Sequence, residues 1–363
     1  MPDRVLILGA TARAAAASAR RAGLTPFAID LFADRDTVEL CESARRVPLA
    51  DYPRGLFDAA RRLPPMPWLY TGGLENYPSE ILHLATRQEL LWGPSVLGGR
   101  DMALASVAGW LRPFGIETAA LEDRPAGNGV WVRKSFWTAG GRGVRVAVPG
   151  DGREPGVRYQ RFVPGRPMSV LFAGSTRMAT HHQLIGEPWL HAPGFTYCGN
   201  LTASPVGRFG EADQSPLWNG PRLGLWGIDF IDHDGSPVVI EVNPRYTASV
   251  EVHELATGVS LLRRTEPPPP ATKVVGKAVY YAARPLTIPD SGSWDESLRH
   301  CTDVWRRPDF ADIPRPDDVI EPGQPVVTLL ADGPTETAVL ATLKARAADL
   351  DRLFGVPTPE DSP

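Results

Sequence analysis

The chain is poor in cysteine. Cys41, Cys198 and Cys301 lie far apart and form no CxxC pair. That excludes a zinc ribbon and a disulfide framework, and it points to a reducing compartment. No apolar run reaches the roughly 18 residues of a membrane span. The stretch Ala14–Ala17 is flanked by Arg13, Arg20 and Arg21 and reads as a helix. The opening residues lead straight into Val5-Leu6-Ile7-Leu8-Gly9 with no charged-then-apolar signal region, so the expected compartment is the cytoplasm. Basic excess is also missing: 38 Lys and Arg stand against 42 Asp and Glu, for a net charge of −4. Nothing in that balance favours a nucleic-acid backbone, and no nucleic-acid or membrane partner is expected. The turn Gly9-Ala10-Thr11-Ala12-Arg13 lacks the GxGxxG spacing of a dinucleotide fingerprint. No internal repeat is present.

What the chain does have is a normal globular balance over 363 residues, 43% hydrophobic and 22% charged, enough for two or three domains. The first part alternates strand and helix signals. Val5–Leu8, Pro26–Leu31, Trp68–Tyr70 and Leu90–Trp92 read as strands, and Ala12–Ala22, Pro53–Arg62 and Pro78–Gln88 as helices. Strands separated by helices predict a parallel α/β layer. From residue 129 short, turn-punctuated strands predict antiparallel sheets. Leu223–Asp232 and Pro237–Val242 read as a hairpin through Asp232-His233-Asp234-Gly235. Ser249–Thr257 reads as a helix, and Pro267–Pro270 is a stiff break. The expected fold class is therefore α/β and α+β, divided at about 1–95, 96–265 and 266–363.

Lysine is also scarce, which gives each one weight. Only Lys134, Lys273, Lys277 and Lys344 occur; the other basic residues are arginine. Lys134 closes the strand Val130–Lys134 and is followed by Gly140-Gly141-Arg142-Gly143. Glycine amides approach phosphate oxygens because no Cβ intervenes, and a lysine adds a point charge. The plainer reading is a hairpin with a surface lysine. A second element, Tyr159-Gln160-Arg161-Phe162-Val163-Pro164-Gly165, exposes backbone groups suited to an adenine edge, or is an ordinary hairpin. Third, alternation puts Asp229 on one face of its strand, and Glu241, Asn243 and Arg245 on one face of the next. If the hairpin closes between them, three oxygen ligands converge, suited to magnesium with phosphates. His181 and His182 are adjacent and point to opposite faces of a strand, so they cannot bind one metal together. His253 and Glu254 border an acceptor site or merely cap a helix. Glu75 lies at the end of a parallel strand, where open α/β sheets bind ligands.

In order and spacing these elements resemble the ATP-grasp superfamily of carboxylate–amine and carboxylate–thiol ligases. The residues that carry the likeness are Val132-Arg133-Lys134, Gly140–Gly143, Tyr159–Ser169, Gly227–Phe230 and Glu241-Val242-Asn243-Pro244-Arg245. The first ninety residues resemble the domain that precedes the ATP-grasp region. The resemblance implies ATP as nucleotide, with Lys134, Gly140, Gly141 and Gly143 at its phosphates and Gln160, Arg161, Phe162 and Val163 as the adenine hinge. It implies Mg2+, or Mn2+ in its place, on Asp229, Glu241 and Asn243, and catalytic roles for Lys134, Arg142 and Arg245. Two departures stand out. Gly99-Arg100-Asp101-Met102 occupies the place of a first ATP-contacting lysine, and Gln160-Arg161 stands where the hinge carries a glutamate.

Within the superfamily, Thr71–Pro78, Gly194–Asn200 and Pro322–Thr328 are similar to the predicted carboligase branch, distantly similar to biotin carboxylase and to the tyramine–glutamate ligase. The implied reaction activates a carboxylate as an acyl phosphate and joins it to an amine, as in amino-acid addition during biosynthesis of a one-carbon cofactor. Glu75, His182 and Asn200 are the candidate substrate contacts. Small-molecule carboxylate and amine substrates are the expected partners, and a homodimer would be in keeping with such ligases. The alternatives are a biotin-type carboxylation using a separate carrier and an ATP-binding regulator without catalysis. A Rossmann dehydrogenase rests on the N-terminal turn alone.

Overall fold

The computed structural model describes residues 3–92, 104, 108–135, 137–174, 176–203, 224–262, 264 and 266–357. Arg100 and residues 209–223 lie outside them.

The N-terminal layer follows from alternation of strand and helix. Strands β1 (Arg4–Leu8), β2 (Thr25–Asp30), β3 (Ser43–Arg46), β4 (Trp68–Tyr70) and β5 (Leu90–Trp92) form a parallel sheet in the order β3-β2-β1-β4-β5. Helices α1 (Arg13–Arg21), α2 (Arg35–Leu40), α3 (Arg54–Arg61) and α4 (Pro78–Ala85) accompany them. β1 is apolar after Arg4 because it is covered on both faces. Val5 and Ile7 pack with Ala15, Ala16 and Ala19 of α1; Leu6 and Leu8 pack with Leu56, Phe57 and Trp68. The strand order reverses at β1. The loops after β1 and β4 therefore stand at the switch point, at the carboxyl edge where such sheets bind ligands.

The strand-rich part splits in two. Strands β7 (Leu121–Glu122), β8 (Trp131–Ser135), β9 (Arg145–Val146) and β10 (Val157–Arg161) make a small antiparallel sheet, ordered β7-β10-β8-β9. The large sheet uses β6 (Glu117–Thr118), β11 (Arg166–Ala173), β12 (Thr176–Ile185), β13 (Tyr197–Ala203), β14 (Leu225–His233), β15 (Ser236–Asn243), β16 (Val274–Tyr281), β18 (Phe310–Ala311) and β20 (Pro325–Gly333). Its order is β18-β20-β16-β13-β12-β11-β14-β15-β6. β17 (Leu286–Thr287) and β19 (Val319–Ile320) pair separately. Helix α5 (Ser249–Thr257) packs on β13 and β16, α6 (Asp295–Arg299) lies by β18, and α7 (Glu336–Phe354) covers β16 and β20. Strands beyond the proline break thus extend the same sheet that holds Asp229.

The β14–β15 hairpin turns through Asp234 at φ 50° and Gly235 at φ 81°. Two successive positive-φ residues give the primed turn that matches strand twist. Several elements are absent from the expectation: β3, whose Ser-Ala-Arg-Arg has no apolar alternation, the short helices α2 and α6, and strands β6, β7, β13, β17, β18 and β19. One apolar cluster joins α1 to Leu171, Met178, Leu225, Tyr246 and Val250, so the parallel layer and the large sheet share a core.

Candidate active site

Register brings the acidic residues together. Asp229 on β14 stands directly opposite Glu241 on β15, and Gly227 opposite Asn243. A bulge after Asp229 inserts Ile240 as an extra residue, so Phe230 meets Val239. Asn243 donates Nδ2 to Asp229 Oδ2 at 2.9 Å, and Gln183 donates Nε2 to Oδ1 at 3.0 Å. Burial first and the facing Glu241 second push the Asp229 carboxyl up to about 7, against the pull of Arg245 and the two amide donors. Two carboxylates held this close are a hard-oxygen donor set short of positive charge, which suits a divalent cation. Asn243 Oδ1 accepts from Arg245 Nη2 at 2.9 Å and keeps a second lone pair. Among the described residues no cluster of three or more His, Cys, Asp or Glu is placed to hold a metal, so the set rests on one acid pair and one amide.

Arg245 ties this site to the parallel layer. Its Nε donates to Glu75 Oε1 at 2.8 Å and its Nη1 to the Tyr246 carbonyl at 3.2 Å. Glu75 is 3% exposed, in the loop after β4. Tyr70, at the end of β4, donates its hydroxyl to the Pro244 carbonyl at 2.8 Å.

The small sheet closes over the acids. Gln160 on β10 is buried and donates Nε2 to the Ile240 carbonyl at 2.9 Å, next to Glu241. Lys134 pairs with Arg158, and Val132 with Gln160. Cross-strand partners share a face, and residues two apart along a strand do too. Lys134, half-buried, is therefore on the face that Gln160 turns toward β15. The glycine loop is seated on the large sheet. Tyr197 N donates to the Gly140 carbonyl at 3.0 Å, Arg142 Nη2 donates to Gln324 Oε1 at 3.0 Å, and Asn76 Nδ2 donates to the Thr138 carbonyl at 3.3 Å. Gly141 sits at φ 75°, where a Cβ would lie 1.9 Å from the Phe195 carbonyl oxygen. Gly141→Ala opposes this seating; strain of about 1–3 kcal/mol predicts a melting temperature lowered by a few degrees and, for a loop that covers ATP, roughly a tenfold or larger rise in KM for ATP. Steady-state kinetics with a thermal melt checks it.

Beyond Gln160, the hinge segment is more open. Arg161 donates to the Asn128 carbonyl and lies over the Trp131 ring, Phe162 is 40% exposed with its ring 6.3 Å from Phe195, and Val163 is half-buried.

The candidate substrate contacts divide. Glu75 lies against Arg245, as described. Asn200 is buried and in register with Gln183 and Lys277, on the face that carries Asp229. His182 is a correction: Gln183 reaches Asp229, so its neighbour points to the other face. There His182 Nδ1 lies 2.7 Å from Glu336 Oε2 and 2.7 Å from Arg166 Nη2.

Its neighbour His181 lies on the Asp229 face, in the row Asp229–Ser169–His181–Thr202. Its ring centroid is 5.5 Å from that of His253 on α5, and the nitrogens of both are buried without a protein partner. Burial holds His253 at about 4. In the unfolded chain a histidine titrates near 6.5, so the native state binds fewer protons between those values and stability falls as pH drops through that window. Wild-type stability relative to His253→Leu should fall by roughly 2 kcal/mol from pH 7 to pH 5, measured by urea unfolding. The sequence also hid Arg13. This side chain is buried in α1, donates to both carboxylate oxygens of Glu251, and donates Nη2 to Asp312 Oδ2 at 3.0 Å. Lys277 Nζ lies 3.3 Å from Glu251 Oε2. A signal existed in the acid Glu251, set between Val250 and Val252.

Comparison with known proteins agrees with this geometry. Residues 113–249 match the family described as ATP-grasp domain. Over nearly its whole length the chain shares its fold with ligases of that type. The L-amino acid ligase of Bacillus licheniformis superposes with a TM-score of 0.61 at 13% identity, covering 96% of this chain and 98% of that one. The phosphoribosylamine–glycine ligase of Thermotoga maritima gives 0.60 at 16% identity, covering 95% and 96%. Biotin carboxylase of Campylobacter jejuni gives 0.60 at 12% identity, covering 97% and 96%. An uncharacterized protein of Methanocaldococcus jannaschii is 27% identical over 172 residues, 47% of this chain but 41% of the relative's length. Residues 113–249 match an ATP-grasp domain, set in a mixed fold of one parallel sheet and others that are mainly antiparallel. No helix among the described residues is long and apolar enough to cross a membrane.

Proposed function

We propose that this chain is an ATP-dependent ligase that activates a carboxylate as an acyl phosphate and joins it to an amine. The observation that carries the reading is the facing pair Asp229 and Glu241, on the strand hairpin that Gln160 ties to the small sheet bearing Lys134. The solved ligases of the same fold favour C–N bond formation for this chain, since an L-amino acid ligase and a phosphoribosylamine–glycine ligase are among them.

In the reaction a carboxylate oxygen attacks the γ-phosphorus of ATP, the bond from that phosphorus to the β,γ-bridging oxygen breaks, and ADP leaves. The amine nitrogen then attacks the acyl carbon, the bond to the phosphate oxygen breaks, and inorganic phosphate leaves as the nitrogen gives up a proton. Two anions must meet, so the residues serve mainly to place and neutralise charge. Asp229 and Glu241, with Asn243 beside them, would hold Mg2+ or Mn2+, which supplies charge neutralisation on the phosphates. Lys134 lies on the face turned toward the acids, and Arg245 is held ready by Glu75 and Asn243. The loop at Gly140, Gly141 and Gly143 covers the cleft and limits access of water to a reactive acyl phosphate. Arg142, anchored to Gln324, fixes that cover. Gln160 latches the hinge, so Arg161, Phe162 and Val163 are left to present the adenine contact.

A screen of ADP release with Mg2+, over a panel of amino acids and amines and read out with product mass spectrometry, tests this reading. ADP formation that requires both an acid and an amine, with a product mass equal to their sum less water, is the expected result. ADP formation that requires bicarbonate and biotin supports carboxylation with a separate carrier instead. Absence of any turnover despite nucleotide binding supports a regulator.

A further inference from the structure

Helix α5 covers the face of the large sheet that carries Asp229. Lys277 on β16 is in register with Asn200 on β13, and its Nζ lies 3.3 Å from Glu251 Oε2 on α5. One row across that face holds Asp229, Ser169, His181 and Thr202, on β14, β11, β12 and β13. Asn200 comes two residues before Thr202 and so shares the face, diagonal to His181 and within side-chain reach.

Three polar side chains under the helix have bonding capacity left over. His181 is 0% exposed, Asn200 1%, and His253, on α5, 9%. Both ring nitrogens of His181, both of His253 and Nδ2 of Asn200 are buried with no hydrogen-bond partner among the described residues. The two rings meet edge to face, their centroids 5.5 Å apart. Asn200 is fixed in place, because its Oδ1 accepts from the Tyr197 hydroxyl at 3.0 Å. A buried donor or acceptor left unpaired costs about 1–3 kcal/mol. Two imidazoles and an amide left so, side by side on the catalytic face, mark a place where a ligand completes the bonding.

Charge and donor count define that ligand. The charged groups of α5 are already paired: Glu251 takes Arg13 and Lys277, and Glu254 takes Arg21, the Ser18 hydroxyl and the Leu261 N–H. Burial keeps both imidazoles neutral, holding His253 at about 4 and His181 well below the usual histidine range. A neutral imidazole offers one donor and one acceptor, and the Asn200 amide nitrogen offers donors only. A carboxylate would leave the ring acceptors empty, and an ammonium would leave the amide donors empty. A hydroxyl or a carboxamide both donates and accepts, and fits the set.

We propose that His181, His253 and Asn200 bind a neutral hydrogen-bonding group of the substrate, a hydroxyl or a carboxamide, and make the chain selective for it. This rests on the ligase reading and narrows its substrate class. Asp229 and His181 stand two strand spacings apart, roughly 10 Å, so the recognised group lies away from the reacting carboxylate or amine, elsewhere on a small substrate. A site built to bond a polar group strongly rejects the analogue that lacks it, because its own buried groups are then left unpaired.

The test measures ADP release by the full chain with Mg2+ over matched pairs of amino acids: L-threonine with L-valine, L-asparagine with L-leucine, and L-tyrosine with L-phenylalanine. L-glutamate and L-lysine are the charged controls, and each amino acid is supplied with the acid and amine panel described above. In wild type, kcat/KM for the polar member of at least one pair should exceed that of its apolar partner by about 100-fold or more. Which pair responds separates a hydroxyl from a carboxamide. His181→Phe and, separately, His253→Phe should each cut that ratio at least about tenfold, whereas a histidine that only fills the core leaves the ratio alone. The two substitutions lie on different elements, and a thermal melt shows which of them folds. Equal use of both members of every pair, preference for a charged control, or an unchanged ratio in a folded variant would overturn the proposal. No ADP release with any combination defeats the ligase reading and this one with it; release with apolar or charged substrates defeats only this one.

Discussion

Replacing Glu241 with glutamine lowers ATP turnover by about 10²–10³-fold while the protein remains folded. The change is isosteric and sits on a half-buried strand position, so the hairpin with β14 is kept. What is lost is one of two facing negative charges. Glu241 is one reason the Asp229 carboxyl is pushed up to about 7, and the substitution removes that repulsion. Glu241→Gln should therefore lose turnover while still melting cooperatively. Activity lost together with stability would mean only a damaged fold. ADP release and a thermal melt on one preparation separate the two.

Arg245→Met has the opposite signature. Arg245 is the cation against Glu75, whose side chain is 1% exposed, and it also holds Asn243 Oδ1 and the Tyr246 carbonyl. Removing one partner of a buried pair costs about 3–5 kcal/mol. Stability in urea should fall by that amount, and turnover should fall as well, since Asn243 loses its brace. The double variant Arg245→Met with Glu75→Gln should regain most of the stability and none of the turnover. If the single variant loses under about 1 kcal/mol, the pair behaves as a surface salt bridge and not as the link between the layers.

These expectations draw on features of unequal legibility. The β14–β15 hairpin was readable because Asp234-Gly235 marks a primed turn and alternation fixes which side chains share a face. Helix α5 was readable at Ser249–Thr257 from its own composition and its boundary glycine. The parallel layer followed from alternating strand and helix signals. Register was not readable. The adjacency of His181 and His182 says that they diverge, but only the pairing of β12 with β11, and of β11 with β14, says that His181 takes the Asp229 side. The same holds for Arg13, which lies 238 residues from Glu251 and 299 from Asp312 and meets Glu251 through packing of α1 against α5. Local chemistry thus singled out the candidate residues, and long-range packing decides which of them meet.

The most direct check is calorimetric titration of a non-hydrolysable ATP analogue into wild type and Glu241→Gln, each with Mg2+ and with EDTA. The account predicts tight binding to wild type with Mg2+, and binding weakened at least about tenfold both by EDTA and by Glu241→Gln, about 1.4 kcal/mol in each case. Equal affinity in all four titrations would contradict it, since the facing carboxylates would then take no part in holding the nucleotide.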